Sequence, residues 1–328
     1  MAKIIGIGNA LVDILVKLAD EKPLSDIGLT RGGMWHIDEA QMRHLQAETA
    51  PLRPVRATGG SAANTIHALS MLGHATAYIG TVADDEHGRF FADSMRRRGT
   101  DSHLLMAHDG HTGIATTFIL PDGERTFATY LGVAPQIDTT TLPFHPTAAT
   151  GESDILHIEG YLVQDHDTVE EIMRQAKAAG MTVSYDLASW NIVRADRHFV
   201  RHLVRDYADI VFANHDEAEA YAGTSDPQTA LADIAEHVQT AIVKMGKRGA
   251  MARRGTDEAF APAEPCSNVA DATGAGDFFA AGFLHGIMAH KTLDRCLRYG
   301  NIMAVHAIQV LGSNVPPLTP RQLALLDE

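Results

Sequence analysis

The chain has 328 residues, 45% apolar and 21% charged, with 27 basic against 41 acidic side chains and a formal charge of −14. That length suffices for one large α/β domain or two ordinary ones, and the composition is that of a soluble globular protein. The acidic balance argues against nucleic acid or an anionic membrane surface as partner, because either needs a basic face. Two cysteines (Cys266, Cys296) without C-x-x-C spacing make no disulfide framework, and 18 scattered histidines show no H-E-x-x-H pattern. No apolar run approaches the ~20 residues of a membrane span, and the first eight residues are interrupted too soon by glycine for a secretory leader. The expected compartment is the cytoplasm.

Residues 3–7 form a short β-prone run that ends in Gly6-x-Gly8. A dinucleotide-binding unit begins this way, but Leu11 stands at the third glycine position and no helix follows, so a nicotinamide oxidoreductase is disfavoured. The chain continues as a β-branched strand over 11–18, with Asp13 inside it as an edge gatekeeper or a ligand group. Residues 19–33 are polar and turn-rich, 34–37 are again β-prone, and 38–47 read as a helix capped by Asp38. At 57–64 a turn with Gly59 and Gly60 enters a helix with apolar residues at 62, 66, 69 and 72. The glycines let a ligand lie against the backbone, and Asn64 stands one turn inside, able to bond hydroxyls. A strand at 76–82 and a helix from 84 to 98 follow.

Two β runs, 112–120 and 125–131, flank Pro121-Asp122-Gly123-Glu124, a strong hairpin signal. With 11–18 and 34–37 they predict a small sheet inserted between βα units, placed as a lid over a cleft, with Arg125 at the turn end of the hairpin. From 154 onward strands and helices alternate, with strands at 155–159, 182–186, 210–213 and 241–244. This predicts an α/β fold with a doubly wound, mostly parallel sheet whose ligands lie beyond the carboxyl ends of the strands. At those ends stand Ser184–Leu187, Asn214-x-x-Glu217, Lys244-x-Gly246-x-x-Gly249 and the loop 271–277. Asn214 and Glu217 suit Mg²⁺, directly or through water, and equally suit a helix cap with its capping-box glutamate.

The loop Asp271-Ala-Thr-Gly-Ala-Gly-Asp277 runs into a helix with apolar residues at 279, 283 and 287. Its small residues bare the amides at the positive end of a helix, an anion site. A carboxylate there, Asp277, makes sense as the group that takes a proton from a hydroxyl attacking a phosphate. The plainer reading is a glycine-rich helix start with Asp277 as cap. An apolar helix at 299–310 and a proline-rich exit end the chain.

The 271–277 stretch resembles the C-terminal signature of the PfkB (ribokinase-like) carbohydrate and nucleoside kinases. Gly59-Gly60-Ser-Ala-Ala-Asn64 resembles their N-terminal signature, and Asn214-x-x-Glu217 their magnesium-associated motif. The three agree in order and spacing over essentially the whole chain, which implies a single kinase domain over 1–328. The resemblance implies transfer of the γ-phosphoryl group of ATP to a sugar or nucleoside hydroxyl, with Mg²⁺. Asp277 would be the base and the amides of Gly274, Ala275 and Gly276 the anion hole. Asp13, Gly59, Gly60 and Asn64 would hold the acceptor. Lys244, Gly246, Gly249, Thr273 and Asn301 would border ATP. Asp271, Thr273, Gly312 and Ser313 lie where some members bind a potassium-like cation. Arg125 matches a lid arginine of the adenosine-kinase branch, and Trp35 would stack on a base. The long 19–56 segment slightly favours an adenosine-type acceptor over a fructokinase- or ribokinase-like sugar. A catalytically silent binding protein would not need Asp277. The implied partners are the small acceptor and ATP, and the assembly a monomer or homodimer.

Overall fold

The computed structural model describes residues 2–31, 34–121, 125–145 and 153–327. Its β-branched runs assemble into two sheets. The larger contains, in chain order, β1 (Ile4–Ile7), β5 (Thr76–Ala83), β6 (Asp101–Ala107), β9 (Ile155–Glu159), β10 (Thr182–Asp186), β11 (Ile210–Asn214), β12 (Thr240–Lys244), β13 (Ala250–Arg254) and β14 (Asp257–Ala261). The smaller contains β2 (Leu11–Lys17), β3 (Met34–His36), β4 (Val55–Gly59), β7 (Gly113–Ile119) and β8 (Arg125–Tyr130).

The large sheet has the order β14-β13-β12-β11-β10-β9-β1-β5-β6. Every neighbouring pair from β12 to β6 is parallel, and β13 and β14 add an antiparallel hairpin at one edge. Both faces are covered, as parallel sheets require. On one face Ile4, Phe212 and Ile242 belong to a core with Phe278, Phe279 and Phe283 of helix Ala275–Met288. On the other, Ile5, Ile7, Leu156, Val183, Val211 and Val243 belong to a core with Val169, Ile172 and Leu203. The strand order runs outward in opposite directions from β1 and β9, so the topological switch point falls between them, where such sheets bind ligands.

The small sheet has the order β3-β8-β7-β2-β4. The expected hairpin is present as the antiparallel pair β7–β8, with Ile119 opposite Arg125, while turn residues 122–124 lie outside the described residues. Three corrections apply to this sheet and its surroundings. Val55–Gly59, read as part of a turn, is its fifth strand. β2 pairs with β4 on one side and β7 on the other, so Asp13 is on an inner strand and the edge-gatekeeper reading falls away. Within the turn-rich 19–33 segment, Lys22–Asp26 forms a short helix with Pro23 in its first turn. In the large sheet, edge strands β6 and β14 and the neighbouring β13 were not expected; they are partly exposed and carry charged residues, so their alternation is weak.

Candidate active site

A cavity of about 530 Å³ opens over the switch point, walled by the small sheet on one side and loop 272–277 on the other. Its floor is built by strand ends. Glu159, Asp186, Asn214 and Lys244 close β9, β10, β11 and β12, with Asp186 beside Glu159 and Asn214 beside Lys244 in the register, and all four line the cavity. The parallel register is what aligns four polar residues at one edge.

Two helices aim their N-termini at this floor. Ser61–Met71 begins after Gly60, at φ 92°, and Ala275–Met288 after Gly274, at φ 76°. That left-handed conformation at Gly274 bends the chain so that the first helical turn borders the cavity, with Ala275 N donating to Ala272 O at 3.3 Å. Asp277 ties the helices together: Oδ1 accepts from Ser61 Oγ at 2.8 Å and Oδ2 from Asn64 Nδ2 at 2.9 Å. Loss of water pushes its carboxyl up to about 6, against the pull of the Asn64 and Ser61 hydrogen bonds. Asp277 therefore bonds like a structural group and still faces the cavity as a carboxylate poised near neutrality.

Asp13 projects from the middle of β2 into the same cavity. Burial, then the nearby Asp277 and Asp271 charges, raise its carboxyl to about 7. Gly59, at the end of neighbouring β4 and opposite Leu11, leaves it room: a Cβ there would stand 2.1 Å from Asp13 Oδ1. Gly60 and Asn64 line the cavity, and Asn64 Oδ1 is buried without a protein partner, an acceptor left for a hydroxyl. Leu11, Ala115, Phe127, Leu131 and Met34 supply an apolar wall.

Both oxygens of Glu217 are engaged with Asn214. Asn214 N donates to one at 2.7 Å and Nδ2 to the other at 2.6 Å, while Glu217 N donates to Asn214 Oδ1 at 2.9 Å. The pair is a full capping box, and both residues also line the cavity. Burial raises the Glu217 carboxyl and Lys244 opposes the rise. Gly246, Gly249, Thr273 and Asn301 line the cavity too, and Asn301 is fixed by donating to Pro262 O at 2.9 Å. The Lys244 ammonium, expected along the ATP border with Gly246, reaches toward the loop instead: it donates to Asp186 Oδ2 at 2.9 Å and lies 3.1 Å from where a Cβ on Gly276 would be.

The potassium-like position does not fit a cation here. Asp271 Oδ1 accepts from Thr273 N at 2.6 Å and pairs with Arg125 Nη2 at 2.6 Å, and Oδ2 accepts from Gly312 N at 2.8 Å. The Ser313 hydroxyl donates to Thr58 O. A lid guanidinium thus already neutralises the carboxylate. Trp35 is not brought to the cavity. Strand alternation sends Met34 and His36 there, while Trp35 is 39% exposed and its indole donates to Thr30 O at 3.2 Å.

Glu159 was missed as a site member, and Asp186 was named only within the stretch Ser184–Leu187. Glu159 accepts from Asn9 N, Asn9 Nδ2 and Ala62 N at 2.8, 2.9 and 3.0 Å, bracing the switch point, and burial raises it to about 7. Asp186 holds Lys244. An acidic residue closing a buried strand was the available signal for both.

These features define a phosphotransferase site. A family model for the pfkB family carbohydrate kinases matches residues 37–320, and the chain belongs to that family. Among curated relatives, 5-dehydro-2-deoxygluconokinase of Shouchella clausii is 30% identical over 259 residues, 75% of this chain and 78% of that protein. A probable sugar kinase from Rhizobium etli has a similar solved structure, with TM-score 0.87 and 31% identity, covering 99% of this chain and 97% of that one. Adenosine kinase from Sinorhizobium meliloti follows with TM-score 0.86 and 32% identity, covering 98% and 97%. No helix among the described residues is long and apolar enough to cross a membrane.

Proposed function

We propose that this kinase transfers the γ-phosphoryl group of Mg·ATP to a hydroxyl of an uncharged acceptor, with a nucleoside of the adenosine type preferred over a simple sugar. The carrying observation is the acceptor end of the cavity. Leu11, Ala115, Phe127, Leu131 and Met34 form an apolar wall opposite the Asp13 carboxylate, and the lining guanidinium, Arg125, is already paired with Asp271. A flat base covers such a wall, and ribose hydroxyls satisfy Asp13 and Asn64 Oδ1. An acidic sugar would bring its carboxylate toward Asp13 and Glu159. The names of the curated relatives point to such sugars, whereas the solved adenosine kinase covers nearly the whole chain.

In this reading Asp13 and Asn64 orient the acceptor, and Asp277 accepts the proton of the attacking hydroxyl. The amides of Gly274, Ala275 and Gly276 receive the charge that develops on the transferring group. Gly246, Gly249 and Asn301 border the purine of ATP. Asn214 and Glu217 hold Mg²⁺ through water, since their own hydrogen bonds occupy the carboxylate. When bound, the ion neutralises phosphate charge.

The test is ADP release with adenosine, other nucleosides, ribose, fructose, 5-dehydro-2-deoxygluconate and 2-dehydro-3-deoxygluconate. Adenosine is expected to give the highest kcat/KM. A preference of tenfold or more for either acidic sugar overturns the acceptor assignment. Turnover with none of them, alongside a thermal shift with one, favours a silent binding protein.

A further inference from the structure

Lys244 is a cation held by carboxylates against the start of a helix. Its side chain is 13% exposed and its ammonium lies 3.1 Å from the position of a Cβ on Gly276, against the first turn of helix Ala275–Met288. That is the positive end of the helix dipole, which repels an ammonium. Burial also works against the charge. The Asp186 and Glu217 carboxylates outweigh it and hold the pKa above the ordinary lysine value. A purely structural Asp186–Lys244 pair would be as well served pointing away from the helix start. Here both members line the cavity.

We propose that Lys244 is a catalytic residue of the phosphoryl transfer. Its ammonium, held by Asp186, contacts the equatorial oxygens of the transferring group from the sheet side, opposite the amides of loop 274–276. Asp186 is the positioning residue. In the step, the acceptor oxygen forms a bond to phosphorus as the bond from phosphorus to the ADP oxygen breaks. The hydroxyl proton goes to Asp277, and Lys244 stays an ammonium throughout. A fixed cation at the oxygens where charge collects acts in the transition state more than in the ground state. The inference rests on phosphoryl transfer from ATP and not on which acceptor is taken.

The experiment compares Lys244→Met, Lys244→Gln and Lys244→Arg in the full chain. The first arm needs no acceptor: calorimetric binding of Mg·ADP and of Mg·β,γ-imido-ATP. Lys244→Met is expected to weaken the triphosphate about tenfold more than the diphosphate, because only the former presents a γ-phosphoryl group. In the second arm, with the best acceptor of the panel, kcat falls by ~10²–10³, acceptor KM stays within about threefold and Lys244→Arg recovers a large part of the loss. Equal weakening of both nucleotides, or kcat within threefold of the parent in a folded variant, overturns the proposal. If Lys244→Met does not fold, Lys244→Gln carries both arms. A panel without any acceptor removes the acceptor assignment and leaves the nucleotide arm to decide this one.

Discussion

Asp13 is where binding and stability pull in opposite directions. It is 7% exposed, on a strand paired on both sides, and its carboxyl rises from 3.8 to about 7 through burial and then the charges of Asp277 and Asp271. A carboxyl raised in the fold binds its proton more tightly there than in the unfolded chain. Its penalty is absent at low pH, grows as pH rises from about 4, and is complete above about 7. A shift of about three units at ~1.4 kcal/mol each sets the full penalty near 4 kcal/mol. Asp13→Asn keeps the shape and removes the charge, but buries an amide that costs ~1–2 kcal/mol unless fully bonded. The net expectation is a gain of about 2 kcal/mol at pH 8, which for a chain of this length is a Tm rise of ~3 °C. At pH 5 most of the gain disappears. Acceptor turnover at pH 8 falls ~10²-fold or more, because a hydroxyl loses its charged acceptor. Thermal unfolding at both pH values, with turnover on the same samples, checks this. An Asn variant less stable than the parent at pH 8 but not at pH 5 would refute the reasoning.

Four further outcomes are expected. Asp277→Asn lowers kcat by ~10²–10⁴ with nucleotide affinity nearly unchanged, and in the parent enzyme kcat/KM falls as pH drops below about 6, where Asp277 takes up its proton. Near-normal turnover of the variant, or a flat profile down to pH 5, counts against Asp277 as base. Gly59→Ala forces a methyl to 2.1 Å from Asp13 Oδ1, so acceptor KM rises at least ~10-fold and stability falls by ~1–3 kcal/mol; a silent substitution would show that Asp13 is free to move. Replacing potassium by tetramethylammonium leaves kcat within about twofold, because Arg125 already neutralises Asp271. Arg125→Ala, by contrast, destabilises by ~2–3 kcal/mol, having left a buried carboxylate with only two amides; a marked potassium requirement in the parent would contradict the closed arrangement.

The parallel core and the glycine corners were legible because each is a local pattern. β-branched apolar runs such as 241–243 read as buried strands, and Gly60 and Gly274 mark places where the chain must turn through positive φ. The hairpin at 113–130 was equally local. What the sequence hid depends on pairing. Val55–Gly59 ends in the glycines that announce the next helix, so nothing local distinguishes a strand from a turn; only β2 beside it makes it one. Trp35 looked like a stacking group because a tryptophan in a lid is conspicuous, but the period of two along β3 gave the cavity to Met34 and His36. Glu159 and Asp186 lie more than 90 residues from Asn64 and Asp277 in the chain, and their place in the site follows from register with β1 and β11. For Arg125 the position in the lid was readable and its partner Asp271, nearly 150 residues on, was not.

A chain of charge −14 that gathers Asp13, Glu159, Asp186, Glu217 and Asp277 around one cavity is poorly suited, on a simple count, to a triphosphate. Burial changes the count. Asp13 and Glu159 are raised to about 7 and Asp277 to about 6, so near neutrality the first two are only partly ionised and the third is ionised but readily reprotonated. Against them stand fixed positive features: two helix starts, an ammonium on Asp186 and a guanidinium on Asp271. The cavity is thus less negative than its residues suggest when phosphate arrives. Phosphate in turn raises these carboxyls further, except where Mg²⁺ or Lys244 intervenes, so the base must lie closest to those cations to stay ionised. Asp277 meets that condition, since it is one residue from Gly276, which the Lys244 ammonium adjoins. Asp13, on the far wall, can carry a proton and still hold a hydroxyl by donating or accepting.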